Sequence, residues 1–209
     1  MVGAVGGIVG ARRSKDKYLD SGYRPTPLSA AEEKRREAAF RECQRKLKLK
    51  GIIKKYDSNG SGKLERHQVV KLLTDLDSST PPGTPPGEDQ VDFLLKLYDR
   101  AGDNAICLEE LEDLLSCWYT FTENRANFEE KLAKFDISKT GKLSKEELKA
   151  YLTDLNGGLE VQDDEVKWVM NEADVMGDGQ LNKMELARAT ALWYSFVEGK
   201  HQQQCCTVA

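Results

Sequence analysis

From Asp136 to Glu147 the chain reads Asp-Ile-Ser-Lys-Thr-Gly-Lys-Leu-Ser-Lys-Glu-Glu. Carboxylates stand at both ends, hydroxyls recur at Ser138, Thr140 and Ser144, and Gly141 sits in the middle. Carboxylate and hydroxyl oxygens suit a hard cation. They do not form a nucleophile–base pair, and the chain has no phosphate loop and no kinase signature, so catalysis and a small-molecule substrate are not expected. His67 and His201 are the only histidines. Neither has a Cys or carboxylate cluster of the kind zinc or a general base needs.

The same texture returns three times. Asp57 to Gln68, Asp99 to Glu110 and Asp174 to Glu185 each begin on Asp and hold a Gly or Asn at the sixth residue. The surrounding chain repeats as well. Leu73-Thr74-Asp75-Leu76 recurs as Leu152-Thr153-Asp154-Leu155, and Trp118-Tyr119-Thr120-Phe121 as Trp193-Tyr194-Ser195-Phe196. The two shifts differ by an insertion in 78–88, where Pro-Pro-Gly-Thr-Pro-Pro-Gly makes a stiff connector. The chain is thus a duplicated unit.

Helices must carry these loops. Leu49, Ile52, Ile53 and Tyr56 fall at helical spacing before the first loop, and Val91, Leu94, Leu95 and Tyr98 repeat it before the second. Phe128, Leu132 and Phe135 partly repeat it before the third. Ser29 with Glu32 three residues on forms a capping-box signal for a helix that runs towards Tyr56 and is bent or broken at Gly51.

Four such loops in register, with these flanks, resemble the EF-hand family, over residues of about 48–198. The resemblance implies an all-α fold of four EF-hand helix–loop–helix units in two paired lobes, with a basic N-terminal helical extension. It implies Ca2+, held by oxygens at loop positions 1, 3, 5, 7 (a carbonyl), 9 and 12, with a turn at position 6 that needs positive φ. In the third loop these are Asp136, Ser138, Thr140, Lys142, Ser144 and Glu147. In the fourth they are Asp174, Asp178, Gln180, Asn182 and Glu185; Met176, a poor ligand, stands at position 3. The first loop offers Asp57, Asn59, Ser61, Lys63, Glu65 and Gln68, and is weakened by the neutral amide at position 12. The second offers Asp99, Asp103, Ala105 and Glu110; Ala101 and Cys107 replace oxygens there, and Asn104 takes the turn. Leu64, Ile106, Leu143 and Leu181 at position 8 are expected to pair first loop with second and third with fourth.

The implied domains are a flexible segment 1–28, a basic helix with the first pair over 29–123, the second pair over 124–198, and a flexible tail 199–209. The tail ends Cys206-Thr207-Val208-Ala209, which resembles a prenylation box, with Cys205 beside it for a second acyl chain. Val2 rules out N-myristoylation, which needs Gly there.

Charge divides the chain. Residues 1–56 hold 15 Lys and Arg against 6 Asp and Glu, while the remainder holds 16 against 29. The acidic body suits cations and the basic arm an acidic surface. Three readings of the arm stay open: a helix on an anionic membrane, a helix docked on the acidic lobes or on a partner, and a solvated extension. No reading motif accompanies the basic residues, so nucleic acid is not an expected partner.

Trp118, Tyr119, Phe121, Trp193, Tyr194 and Phe196 read as core and lobe lining. With 4 Met in the chain, a Met-rich promiscuous groove is not expected. A specific target protein, or the chain's own N-terminal helix, is. The 5 Cys show no disulfide or metal spacing, which fits a reducing, cytoplasmic setting, with membrane anchoring through the tail. The function expected is a calcium sensor; the alternative is a calcium buffer or structural protein with little conformational response.

Overall fold

The structure, a computed structural model, describes residues 28–206, with side-chain surroundings through residue 199. The segment before residue 28, the side chains of Cys205 and Cys206, and the last three residues lie outside the described residues, so the flexible segment and the lipidation site are not addressed by it. Contacts divide the chain between Lys46 and Leu47.

Helix α1 (Ala30–Tyr56) starts where the capping signal stands. The Ser29 N–H donates to Glu32 Oε2 at 2.9 Å, and the Glu32 N–H donates to Ser29 Oγ at 3.3 Å. The helix runs unbroken through Gly51, which a single solvent-facing glycine allows: the entropic cost of about 1 kcal/mol against Ala is met by the packing on either side. Leu49, Ile53 and Tyr56 are buried, whereas Phe40 and Leu47 are exposed. The apolar stripe from Leu49 to Tyr56 therefore meets the core, while Phe40 and Leu47 face solvent.

The order then is β1 (Leu64–Glu65), α2 (Arg66–Leu76), α3 (Glu88–Tyr98), β2 (Ala105–Ile106), α4 (Leu108–Phe135), α5 (Lys145–Leu155), α6 (Asp163–Ala173) and α7 (Lys183–Cys206). Strands β1 and β2 pair antiparallel with Leu64 opposite Ile106. Leu143 and Leu181 form a single bridge, exchanging N–H···O bonds of 2.9 and 2.8 Å. All four of these residues are fully buried, because each pins its loop to the core beneath. The expected pairing of loops is what the backbone adopts.

Two cores lie under the two loop pairs. Leu64, Leu72, Leu94, Ile106, Leu111 and Trp118 belong to the first, and Leu143, Tyr151, Val166, Leu181, Leu186 and Trp193 to the second. Phe93 also belongs to the first, although it lies off the stripe read from the sequence. The first core takes in Met184 from α7, so the two pairs pack against each other.

The boundary drawn at 123/124 lies within α4, a continuous helix with no Gly or Pro along its length. The backbone of α7 runs past Gly199 to Cys206. One expectation changes. Of the aromatic set, Trp118, Phe121 and Trp193 are core, but Tyr119 and Tyr194 are exposed, since adjacent residues on a helix face different ways.

Candidate metal centre

Each loop begins as its preceding helix ends, and each is wound around its first Asp. The Asp136 carboxylate accepts the N–H of Thr140 at 2.9 Å and of Gly141 at 2.7 Å. Asp57, Asp99 and Asp174 accept the corresponding N–H groups of Gly62, Asn104 and Gly179 at 2.7, 2.7 and 2.9 Å. That winding needs a left-handed residue sixth in the loop. Gly62, Gly141 and Gly179 have φ of 79°, 78° and 77°, and Asn104 has 57°. Asn is among the few residues with a side chain that tolerate this region.

In the third loop the oxygens gather. Ser138 Oγ lies 3.1 Å from Asp136 Oδ1 and 3.4 Å from Thr140 Oγ1, and Thr140 Oγ1 lies 3.0 Å from the Lys142 carbonyl oxygen. Two oxygens about 2.4 Å from one ion and at right angles are about 3.4 Å apart. These three neighbouring contacts, hydrogen bonds among the four oxygens, are close to the spacing of adjacent ligands on a calcium-sized ion. From the far end of the loop Glu147 reaches back, accepting the Ser138 N–H at 2.9 Å and the Ser144 N–H at 2.8 Å. These backbone donors hold its carboxyl at about 2, far below the ordinary carboxylate value. Ser144 Oγ accepts the Glu147 N–H, so it caps α5 as well as standing in the loop.

The fourth loop differs in two ways. Glu185 is fully buried and accepts N–H groups from Met176 and Asn182 at 2.8 and 2.9 Å. Burial pushes its carboxyl up, and the negative charges of Asp174 and Asp178 add to the push, against those hydrogen bonds. A buried carboxylate beside two others calls for a cation. Asp178, however, is paired with the ammonium of Lys142 from the third loop. Gln180 lies in the turn with its N–H on Asp178 Oδ1, and Asn182 Oδ1 caps α7 by accepting from Met184 and Glu185. Met176 brings no side-chain oxygen; its carbonyl accepts Lys96 Nζ of α3 at 3.0 Å.

In the first loop Asn59 Nδ2 donates to Glu65 Oε1 at 2.6 Å, and Ser61 Oγ donates to the Lys63 carbonyl at 3.1 Å. Gln68 is buried and doubly engaged: its Oε1 accepts the Glu65 N–H, and its Nε2 donates to Ser58 Oγ. The amide closes this loop without a charge. In the second loop Glu110 accepts the N–H groups of Arg100 and Cys107, both at 2.9 Å. Asp103 is paired with Lys63, and Ala105 lies in β2. Among the described residues no three His, Cys, Asp or Glu side chains converge. The loops set hydroxyl, amide and carbonyl oxygens beside two or three carboxylates at the expected ligand positions spread along each loop.

The two inter-loop pairs, Lys63 with Asp103 and Lys142 with Asp178, were not anticipated from the sequence. The signal was available: each Lys directly precedes a bridging residue, and each Asp stands three residues before its partner.

Residues 125–191 match the family model described as an EF-hand domain pair. The match covers about a third of the chain, the part that holds loops three and four. Among curated proteins the chain is similar to zebrafish secretagogin (Danio rerio), 26% identical over 162 residues, covering 68% of this chain and 59% of that protein. It is similar to the probable calcium-binding protein CML25 of Arabidopsis thaliana, 28% identical over 134 residues, covering 64% and 68%. It is also similar to human calretinin (Homo sapiens), 26% identical over 165 residues, covering 70% and 60%. The chain spans about three-fifths of the length of the secretagogin and calretinin it matches. The match points to Ca2+ as the ion of the loops within residues 125–191.

Proposed function

We propose that the chain is a calcium sensor of four EF-hand units in two paired lobes, in which the second pair binds Ca2+ and the first is chiefly a scaffold. The observation that carries this reading is the oxygen spacing of 3.0–3.4 Å among Asp136, Ser138, Thr140 and Lys142, under a Glu147 already aimed at the loop. Loop four adds Asp174, Asp178 and the buried Glu185. In the first pair Gln68 and Ala101 withhold the charge and oxygen that the other loops have.

The response would be read out beside the loops. Trp168 stacks on Phe196 with ring centroids 5.2 Å apart, and Trp193 lies 5.7 Å from the same ring. Trp168 is partly exposed and stands on α6, which leads directly into loop four. Helix movement on binding would change its surroundings, and the apolar surface so exposed would engage a protein target.

Calorimetry should count two ions per chain, and Glu147→Gln and Glu185→Gln should each remove one. Tryptophan emission and apolar-dye binding should change as the sites fill. Saturation with two ions and no change in either signal would make the chain a calcium buffer and defeat the sensor reading.

The place of action is a second part of the proposal. Cys206, with Cys205, would carry lipid at the Cys-Thr-Val-Ala terminus, and the basic arm would supply a second, electrostatic hold on a cytoplasmic membrane face. Intact mass of protein made in a eukaryotic host should show added lipid that Cys206→Ser abolishes; an unmodified tail defeats the anchoring.

A further inference from the structure

Lys142 takes part in two loops at once. Its carbonyl belongs to the oxygen group of loop three, accepting Thr140 Oγ1 at 3.0 Å. Its ammonium crosses to loop four and pairs with Asp178 Oδ2. The crossing is fixed by the backbone, because the next residue, Leu143, is bridged to Leu181 by two hydrogen bonds. The first pair repeats the arrangement: Lys63 precedes Leu64, Leu64 pairs with Ile106, and Lys63 reaches Asp103. Two independent occurrences on equivalent positions mark a consequence of loop register.

Asp178 is one of three carboxylates in loop four, and Met176 leaves that loop short of an oxygen at its third position. Asp178 committed to Lys142 is a ligand committed elsewhere. We infer that Lys142 is a built-in counter-cation for loop four, one that a divalent ion must displace from Asp178, so that a residue of loop three sets the affinity of loop four. The inference rests on the proposed binding of Ca2+ by the second pair.

Binding of a divalent ion at loop four exchanges one partner of Asp178 for another. The ammonium loses its carboxylate and moves to water, which it can do because the Lys142 side chain is 35% exposed. An exposed ion pair and the repulsion between one added charge and a divalent ion are each modest, and together they amount to about three- to tenfold in affinity. Loop three uses only the Lys142 carbonyl, so its own affinity feels the side chain only as one exposed, screened charge.

The test is calorimetry with Ca2+ alone on the full chain, with the two loops separated by the terminal-Glu variants. In the Glu147→Gln background, which leaves loop four, Lys142→Gln should tighten binding about three- to tenfold. In the Glu185→Gln background, which leaves loop three, the same substitution should change affinity less than about twofold. Lys139→Gln is the control. Lys139 is an exposed lysine of the same loop, so its removal deletes the same charge without touching Asp178. It should move loop-four affinity less than about twofold. Two ions bound with no gain in Lys142→Gln, or an equal gain in Lys139→Gln, overturns the counter-cation role alone. A wild-type chain that binds no Ca2+ overturns the function proposed above as well.

Discussion

Gln68 and Glu147 occupy the same position in their loops and solve the same local problem. Each must satisfy the backbone N–H of the residue that caps the next helix, and each does so, at 3.0 Å to Glu65 and 2.8 Å to Ser144. They differ in the second oxygen. Glu147 has one and gives it to the Ser138 N–H; Gln68 has an amide nitrogen there and donates it to Ser58 Oγ. Gln68→Glu changes no shape, and Ser58 can turn its hydroxyl to donate. The rest of loop one already carries Asp57, Asn59, Ser61 and Glu65. The substitution should therefore raise the calorimetric count from two ions to three, and an unchanged count would show that loop one is closed for a reason beyond its last residue. At this scale the sequence was highly informative. The recurring Asp residues follow from spacing, and the turn residues and position-8 pairs from the resemblance that the spacing supports. The Lys63–Asp103 and Lys142–Asp178 pairs were missed because the loops were read singly, whereas the pairs arise only when two are laid side by side.

Between the elements, a buried charge pair ties the start of the Pro/Gly insertion to α4. Asp77 follows α2 and is buried; its carboxylate accepts the Ser79 N–H at 2.8 Å and the Arg125 guanidinium at 2.6 Å. Arg125 stands on α4, donates its Nε–H to Ser79 Oγ at 2.7 Å and lies over Phe121 at 5.0 Å. Burial pushes the Asp77 carboxyl up, but the hydrogen bonds from Ser79 and Thr80 and the Arg125 charge outweigh it and hold the group below its ordinary value. A carboxyl depressed in the folded chain contributes stability above its unfolded value, and that contribution is lost as pH falls through the folded one. Arg125→Met leaves the buried carboxylate without its cation and should cost about 3 kcal/mol in urea unfolding at neutral pH. The gap between wild type and Asp77→Asn should narrow as the pH falls below about 4. A gap that is flat with pH would mean that Asp77 acts only by shape. None of this was legible beforehand. Prolines announce a stiff connector, but a charge pair 48 residues apart has no period to reveal it. The same holds for α4: its length follows from the absence of breakers, a weaker signal than the repeat that suggested a boundary at 123/124.

For the whole of residues 47–209 the decisive fact is that the two loop pairs share a surface. Met184 is the last residue but one of loop four and is buried in the first core. Lys96 of α3 holds the carbonyl of Met176 inside loop four. Between α3, α4 and α7 lies a largely apolar cavity of about 380 Å³, lined by Phe93, Leu97, Tyr98, Phe121, Met184 and Ala187. Burial raises the Tyr98 hydroxyl and the neighbouring Cys117 thiol above their ordinary values, so both stay neutral at this seam. Loop four and α7 move as one piece, since Glu185 is both the last residue of the loop and part of the helix. Any change in how Glu185 is held therefore reaches Met184 and, through it, the first core. Calcium that fills loops three and four should then slow amide hydrogen exchange in α3, around Phe93 to Leu97, as well as in residues 136–198. Met184→Ala should abolish the α3 effect while leaving two ions bound, because it removes the contact and no ligand. Protection confined to residues 136–198 in the wild type would mean that the seam is passive, and that the first pair neither senses occupancy of the second nor transmits it.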